Sequence, residues 1–134
     1  MVTLILGKKG SGKTKKLMDL CNTAVAQSKG NVVFIEKDNT LTYDVSHQAR
    51  LVSAADFAIS GFEALYGFIA GMCAGNYDIT DIFVDSTLKI GGADFAALET
   101  FVEKVTALDI HAVLSVSADQ AELPAHMLEI AEEI

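Results

Sequence analysis

Short, continuous apolar runs alternate along the chain with longer segments whose apolar residues recur every three or four positions. Val2-Thr3-Leu4-Ile5-Leu6, Asn31-Val32-Val33-Phe34-Ile35, Ile79-Thr80-Asp81-Ile82-Phe83-Val84-Asp85 and His111-Ala112-Val113-Leu114-Ser115-Val116 are the runs. Runs of this kind predict strands covered on both faces. A shorter strand is expected at Arg50-Leu51-Val52. Leu17, Leu20/Cys21 and Ala24/Val25 keep helical spacing, which predicts a helix from about Gly12 to Lys29, closed by Gly30-Asn31. Ile59, Phe62, Leu65/Tyr66, Ile69 and Met72/Cys73 predict a long helix over Ala54 to Ala74. Gly61, Gly67 and Gly71 weaken it by about 1 kcal/mol each relative to alanine. It is apolar over much of its girth, so it is expected in the core or at a subunit interface.

Further along, Gly91-Gly92 reads as a flexible joint and Asp94 as the cap of a helix from Phe95 to Leu108. Phe95, Leu98, Phe101/Val102, Val105 and Leu108 share one face of it, and Glu99, Glu103 and Lys104 form its solvated side. Pro124 suits the first turn of a last helix running to about Glu133. Strands that alternate with helices imply an α/β domain: three layers, a parallel sheet of four to five strands and helices on both faces. Residues 1–134 make one such domain, and its ligand is expected at the C-terminal ends of the strands.

The segment between the first strand and the first helix carries the chemistry. Gly7-Lys8-Lys9-Gly10-Ser11-Gly12-Lys13-Thr14 matches G-x-x-x-x-G-K-S/T, the phosphate-binding loop, in its required strand–loop–helix setting. The glycines let the backbone wrap an anion, and successive N–H groups then form a nest completed by the helix N-terminus. Lys13 is expected to reach the β- and γ-phosphates, and Thr14 to offer its hydroxyl to Mg²⁺. The nucleotide-binding set is Gly7, Lys8, Lys9, Gly10, Ser11, Gly12, Lys13, Thr14 and Lys15. With this loop the fold expected is that of a P-loop NTPase.

Asp85 ends the third apolar run, where P-loop proteins place an aspartate on the Mg²⁺ side, so Thr14 and Asp85 are the expected metal pair and Lys13 and Asp85 the catalytic pair. The residue after Asp85 is Ser86, followed by Thr87, Leu88 and Lys89; no adjacent carboxylate exists to polarise an attacking water. Either the base comes from elsewhere or hydrolysis is poor. Ser117 and Asp119 follow the last strand and either face the nucleotide or simply begin a turn. No N-K-x-D follows a later strand, so ATP is expected over GTP. His111 and His126 have no partners at metal-ligand spacing in the sequence, which leaves Mg²⁺ as the expected metal.

Charge sharpens this picture. Ten Lys+Arg against eighteen Asp+Glu give a net charge of −8, which disfavours nucleic acid as a partner. Yet Lys8, Lys9, Lys13, Lys15 and Lys16, half of the basic residues, crowd the loop. Lys9, Lys15 and Lys16 are equally compatible with solvated surface. Asp56, Ser60 and Glu63 interrupt the longest apolar stretch, so no membrane span is expected, and with the first strand opening almost at Met1 no signal peptide is expected either. Cys21 and Cys73 lie in separate helical stretches and read as buried thiols of a cytoplasmic protein.

The order of these motifs resembles the RecA-like core of type II thymidine kinases. The resemblance rests on Ser11-Gly12-Lys13-Thr14, then Phe34, Asp38, Tyr43, Ser46 and His47, then Asp85, Asp119 and the closing Ala131-Glu132-Glu133-Ile134. It implies a triphosphate-binding half-site with Mg²⁺. It stops where the family's catalytic glutamate is replaced by Ser86 and its loop arginine by Thr42, and where no cysteine quartet is present for a zinc-bearing lasso. The phosphate loop is also similar to that of twitching-motility retraction ATPases, but the likeness goes no further. The expected activity is that of an ATP–Mg²⁺-binding protein with slow ATPase or phosphotransferase action. The alternative is a nucleotide-responsive module for a protein partner, with a homo-oligomer suggested by the apolar helix.

Overall fold

A computed structural model describes residues 1–38 and 45–133, the last three of these by backbone alone. The elements are β1 (Val2–Leu6), α1 (Lys13–Gln27), β2 (Asn31–Glu36), β3 (Arg50–Ser53), α2 (Phe62–Gly75), β4 (Ile79–Val84), α3 (Thr87–Gly91), α4 (Phe95–Thr106), β5 (His111–Val116) and β6 (Ala131–Glu133). All five strand pairings are parallel, in the order β3-β2-β4-β5-β1-β6. The α/β class and parallel sheet agree with the expectation.

Alternation along each strand divides the core into two layers. Leu4, Leu6, Val33, Ile35, Ile82, Val84, Ala112 and Leu114 face one way, against Leu65 and Ile69 of α2 and Leu98 and Phe101 of α4. Ile5, Phe34, Phe83 and Val113 face the other way, against Leu17 and Cys21 of α1. Helices therefore cover both faces. The parity that aims Phe83 and Val113 at α1 also aims Asp85 and Ser115 at that side, since each lies two residues further on. Glu36, 2% exposed, follows Phe34 in the same way.

The sheet has six strands, where four to five were expected. The difference lies at the C-terminal end. The helix expected from Pro124 to Glu133 is instead a 3₁₀ segment, Ala125–Ile130, followed by β6 beside β1. β1 would otherwise expose an unpaired edge, and β6 covers it with a parallel pairing over Leu4–Leu6. The helix expected from Ala54 is also interrupted. Ala55–Phe57 forms one 3₁₀ turn, Ala58 turns left-handed at φ 54°, and α2 begins only after Gly61 at φ 92°. Beyond β4, the chain makes α3, a five-residue helix that was not anticipated and that takes in Gly91 of the expected joint, with Gly92 as its C-cap. No helix among the described residues is long and apolar enough to cross a membrane.

Cys21 is fully buried on the sheet-facing side of α1, and burial, with a smaller push from Asp81, moves its thiol up to about 12. Burial also raises Cys73, which is only partly covered. The thiolate is the reactive form. Cys21 should therefore resist iodoacetamide at pH 8 until denaturant is added, with Cys73 the site of any native-state labelling. Peptide mass spectrometry checks this, and labelling of Cys21 in the folded protein would contradict the packing of α1.

Candidate functional site

The loop from Gly7 to Thr14 turns at Lys8–Ser11, where the Ser11 N–H donates to the Lys8 carbonyl at 3.1 Å. Gly10 and Gly12 stand at φ 82° and 96°, left-handed angles that strain residues with a Cβ. A side chain at Gly7 would collide with that of Ser11. The loop then delivers Gly12 as the N-cap of α1, with the Lys16 N–H donating to the Gly12 carbonyl at 3.0 Å.

This helix end is built against the usual rule. The first N–H groups of a helix lack intrahelical acceptors, and the positive end of the dipole favours acidic residues. Here no side chain caps the N-terminus and no acidic residue lies in the first turn; Lys13, Lys15 and Lys16 are there instead. Without a ligand that arrangement is electrostatically unfavourable. An anion held by the exposed amides would reverse the balance.

Lys13 is 7% exposed, and its Nζ donates to the Lys8 carbonyl at 2.8 Å. Burial lowers its pKa; Asp85 opposes that effect, and Lys89 adds to it. Asp85 is also 7% exposed and accepts from three hydroxyls. Thr14 Oγ1 lies 3.1 and 3.2 Å from its two oxygens, Ser115 Oγ donates to Oδ1 at 2.8 Å, and Ser86 Oγ lies 3.4 Å from Oδ2. Ser86 is itself left-handed, at φ 54°, and its N–H donates to Ser115 Oγ at 2.9 Å. The hydroxyl–carboxylate pair of Thr14 and Asp85 is an all-oxygen donor set, suited to a hard divalent cation such as Mg²⁺.

Lys9, Gly10, Lys13, Thr14, Asp85 and Ser86 line a cavity of about 190 Å³ with Leu88, Lys89, Ser115 and Ser117. Of the expected set, the cavity brings together Lys9, Gly10, Lys13, Thr14 and Asp85, and it adds Ser115 and Lys89, which sequence reasoning missed. Ser115 was detectable as a polar residue at the C-terminal end of an apolar strand. Lys89 carried no motif, because α3 was not foreseen.

Other candidates go elsewhere. Lys15 lies outside that lining, with its ammonium 3.2 Å from Asp19 and its side chain 78% exposed. The Lys8 side chain and Ser11 are exposed. Asp38 and His47 are exposed and outside the cavity lining, and the Ser46 N–H donates to Asn22 of α1. Of the two options left open after β5, Ser117 lines the cavity, whereas Asp119 opens a 3₁₀ turn with a capping box to Glu122. Thr42, Tyr43 and Ile134 lie outside the described residues.

Tertiary structure also gives partners to the histidines that sequence spacing left alone. His126 Nε2 lies 3.6 Å from Glu99 and 3.7 Å from Glu103 on α4. His111 Nδ1 lies 3.5 Å from Asp81, and its Nε2 lies 3.2 Å from Thr3 Oγ1. Neither His lines the cavity beside the glycine-rich loop. Comparison of the whole chain with protein-family models and with curated proteins finds no match.

Proposed function

We propose that the chain is a P-loop nucleotide-binding domain that holds ATP with Mg²⁺ between the 7–14 loop and Asp85. The observation that carries this is the N-terminus of α1, which combines free amides, left-handed glycines and lysines where a self-sufficient helix would have acidic caps. The loop amides and Lys13 would hold the phosphates, and Thr14 and Asp85 the cation. Bound Mg²⁺ would neutralise charge on the phosphate oxygens. Ser115 and Ser86 keep the Asp85 carboxylate oriented.

Slow ATPase or phosphotransfer chemistry fits best with the position after Asp85, where Ser86 offers no general base. The same position supports a second reading, a nucleotide-responsive module that turns over little and signals to a protein partner. Calorimetry with ATP, ADP and GTP, with Mg²⁺ or EDTA, tests the common core. ATP should bind, and chelation should weaken it by about tenfold or more. A flat titration would remove the proposal. Phosphate release above background then separates the enzyme from the silent module.

A further inference from the structure

The 7–14 loop, Thr14 and Asp85 account for one wall of the cavity. The opposite wall is α3, and it brings a cation to which no role has been given. Lys89 lines the same 190 Å³ space as Lys9, Lys13, Asp85 and Ser117. Its charge is close enough to disfavour protonation of Lys13. Among the described residues no carboxylate stands within ion-pair distance of it.

α3 holds its place firmly for so short a helix. Ser86 turns left-handed and is tied to Ser115, and the Lys89 and Ile90 N–H groups donate back to the Ser86 carbonyl at 2.9 and 3.2 Å. Thr87 and Ile90 are buried, at 0% and 2% exposure. The Ile90 carbonyl accepts from the Gly61 N–H at 2.9 Å, and any side chain at Gly91 would strike the Phe62 ring. With these two positions anchored inward, Lys89 is left on the exposed side, at the cavity mouth.

Charge decides what such a cavity takes. Three ammonium groups and a helix N-terminus converge on it, against the single carboxylate of Asp85. A diphosphate engaging the loop amides and Lys13 leaves the far cation without a counter-charge. A triphosphate extends one phosphate further and adds one net negative charge. We infer that Lys89 contacts the terminal phosphate of a bound nucleoside triphosphate and makes the site prefer tri- over diphosphate, an inference that rests on the nucleotide-binding reading above.

The test compares ATP and ADP affinities of the wild type with those of Lys89→Ala and Lys89→Arg, by calorimetry in Mg²⁺, with thermal unfolding as a check on folding. Lys89→Ala should weaken ATP by about tenfold or more, the scale of one charge-assisted contact, and change ADP by less than about threefold. Lys89→Arg should restore most of the ATP affinity. If the wild type binds neither nucleotide, the nucleotide reading itself fails. If the wild type binds both and Lys89→Ala leaves ATP unchanged, or weakens ATP and ADP alike, the assignment of Lys89 is wrong and the nucleotide reading stands.

Discussion

Lys13→Met should weaken ATP binding by on the order of 100-fold, the value of losing a charge-assisted contact in a partly enclosed site. The same change should leave the thermal midpoint of the free protein level or higher. Two features set these opposite signs. Burial and Lys89 work against the charged form of Lys13 and together outweigh the attraction of Asp85, so the ligand-free fold gains little from holding an ammonium there. Its one hydrogen bond within the protein, to the Lys8 carbonyl, offsets only part of that cost. Methionine keeps the length of the stem and removes the charge. Calorimetry and a thermal melt on one preparation check both halves. A variant that lost stability in step with affinity would mark Lys13 as a structural residue.

Phe101→Ala should cost about 3–5 kcal/mol of folding stability, the usual range for emptying a buried aromatic site. Phe101 is 2% exposed on α4, and its ring centroid lies 5.3 Å from that of Phe62, tilted by 39°. That pair joins α4 to the start of α2, so the truncation opens a cavity and removes an aromatic contact worth about 0.5–1.5 kcal/mol in itself. Domains of this size are stable by about 5–15 kcal/mol, so the variant should unfold at a much lower urea concentration with a similar slope. ATP affinity of the folded fraction should change little, because the ring sits on the sheet face opposite α1. A midpoint shift worth under about 1 kcal/mol would mean that the α2–α4 layer is looser than described.

The four apolar runs became β1, β2, β4 and β5 because a strand buried on both faces needs little beyond a short β-prone stretch. α1 and α4 were legible for a similar reason: spacing and caps are local properties, and Asp94 does accept from the Ala96 and Ala97 N–H groups. The glycine-rich loop was legible because each residue type in it answers a local backbone or charge requirement.

What the chain order could not convey was decided by contacts between distant segments. Pro124 to Glu133 has helical credentials, yet its end pairs as β6 because the free edge of β1 offered hydrogen bonds that no local pattern announces. The run from Ala54 breaks because Ala58 and Gly61 take left-handed angles that bring α2 against α3. The site itself shows the same division. Sequence alone named Lys13, Thr14 and Asp85. Only the parallel register of β4 and β5 set Ser115 against Asp85, and only α3 carried Lys89 to the cavity, since side chains about thirty and seventy-five positions away from their partners meet through the sheet and not along the chain.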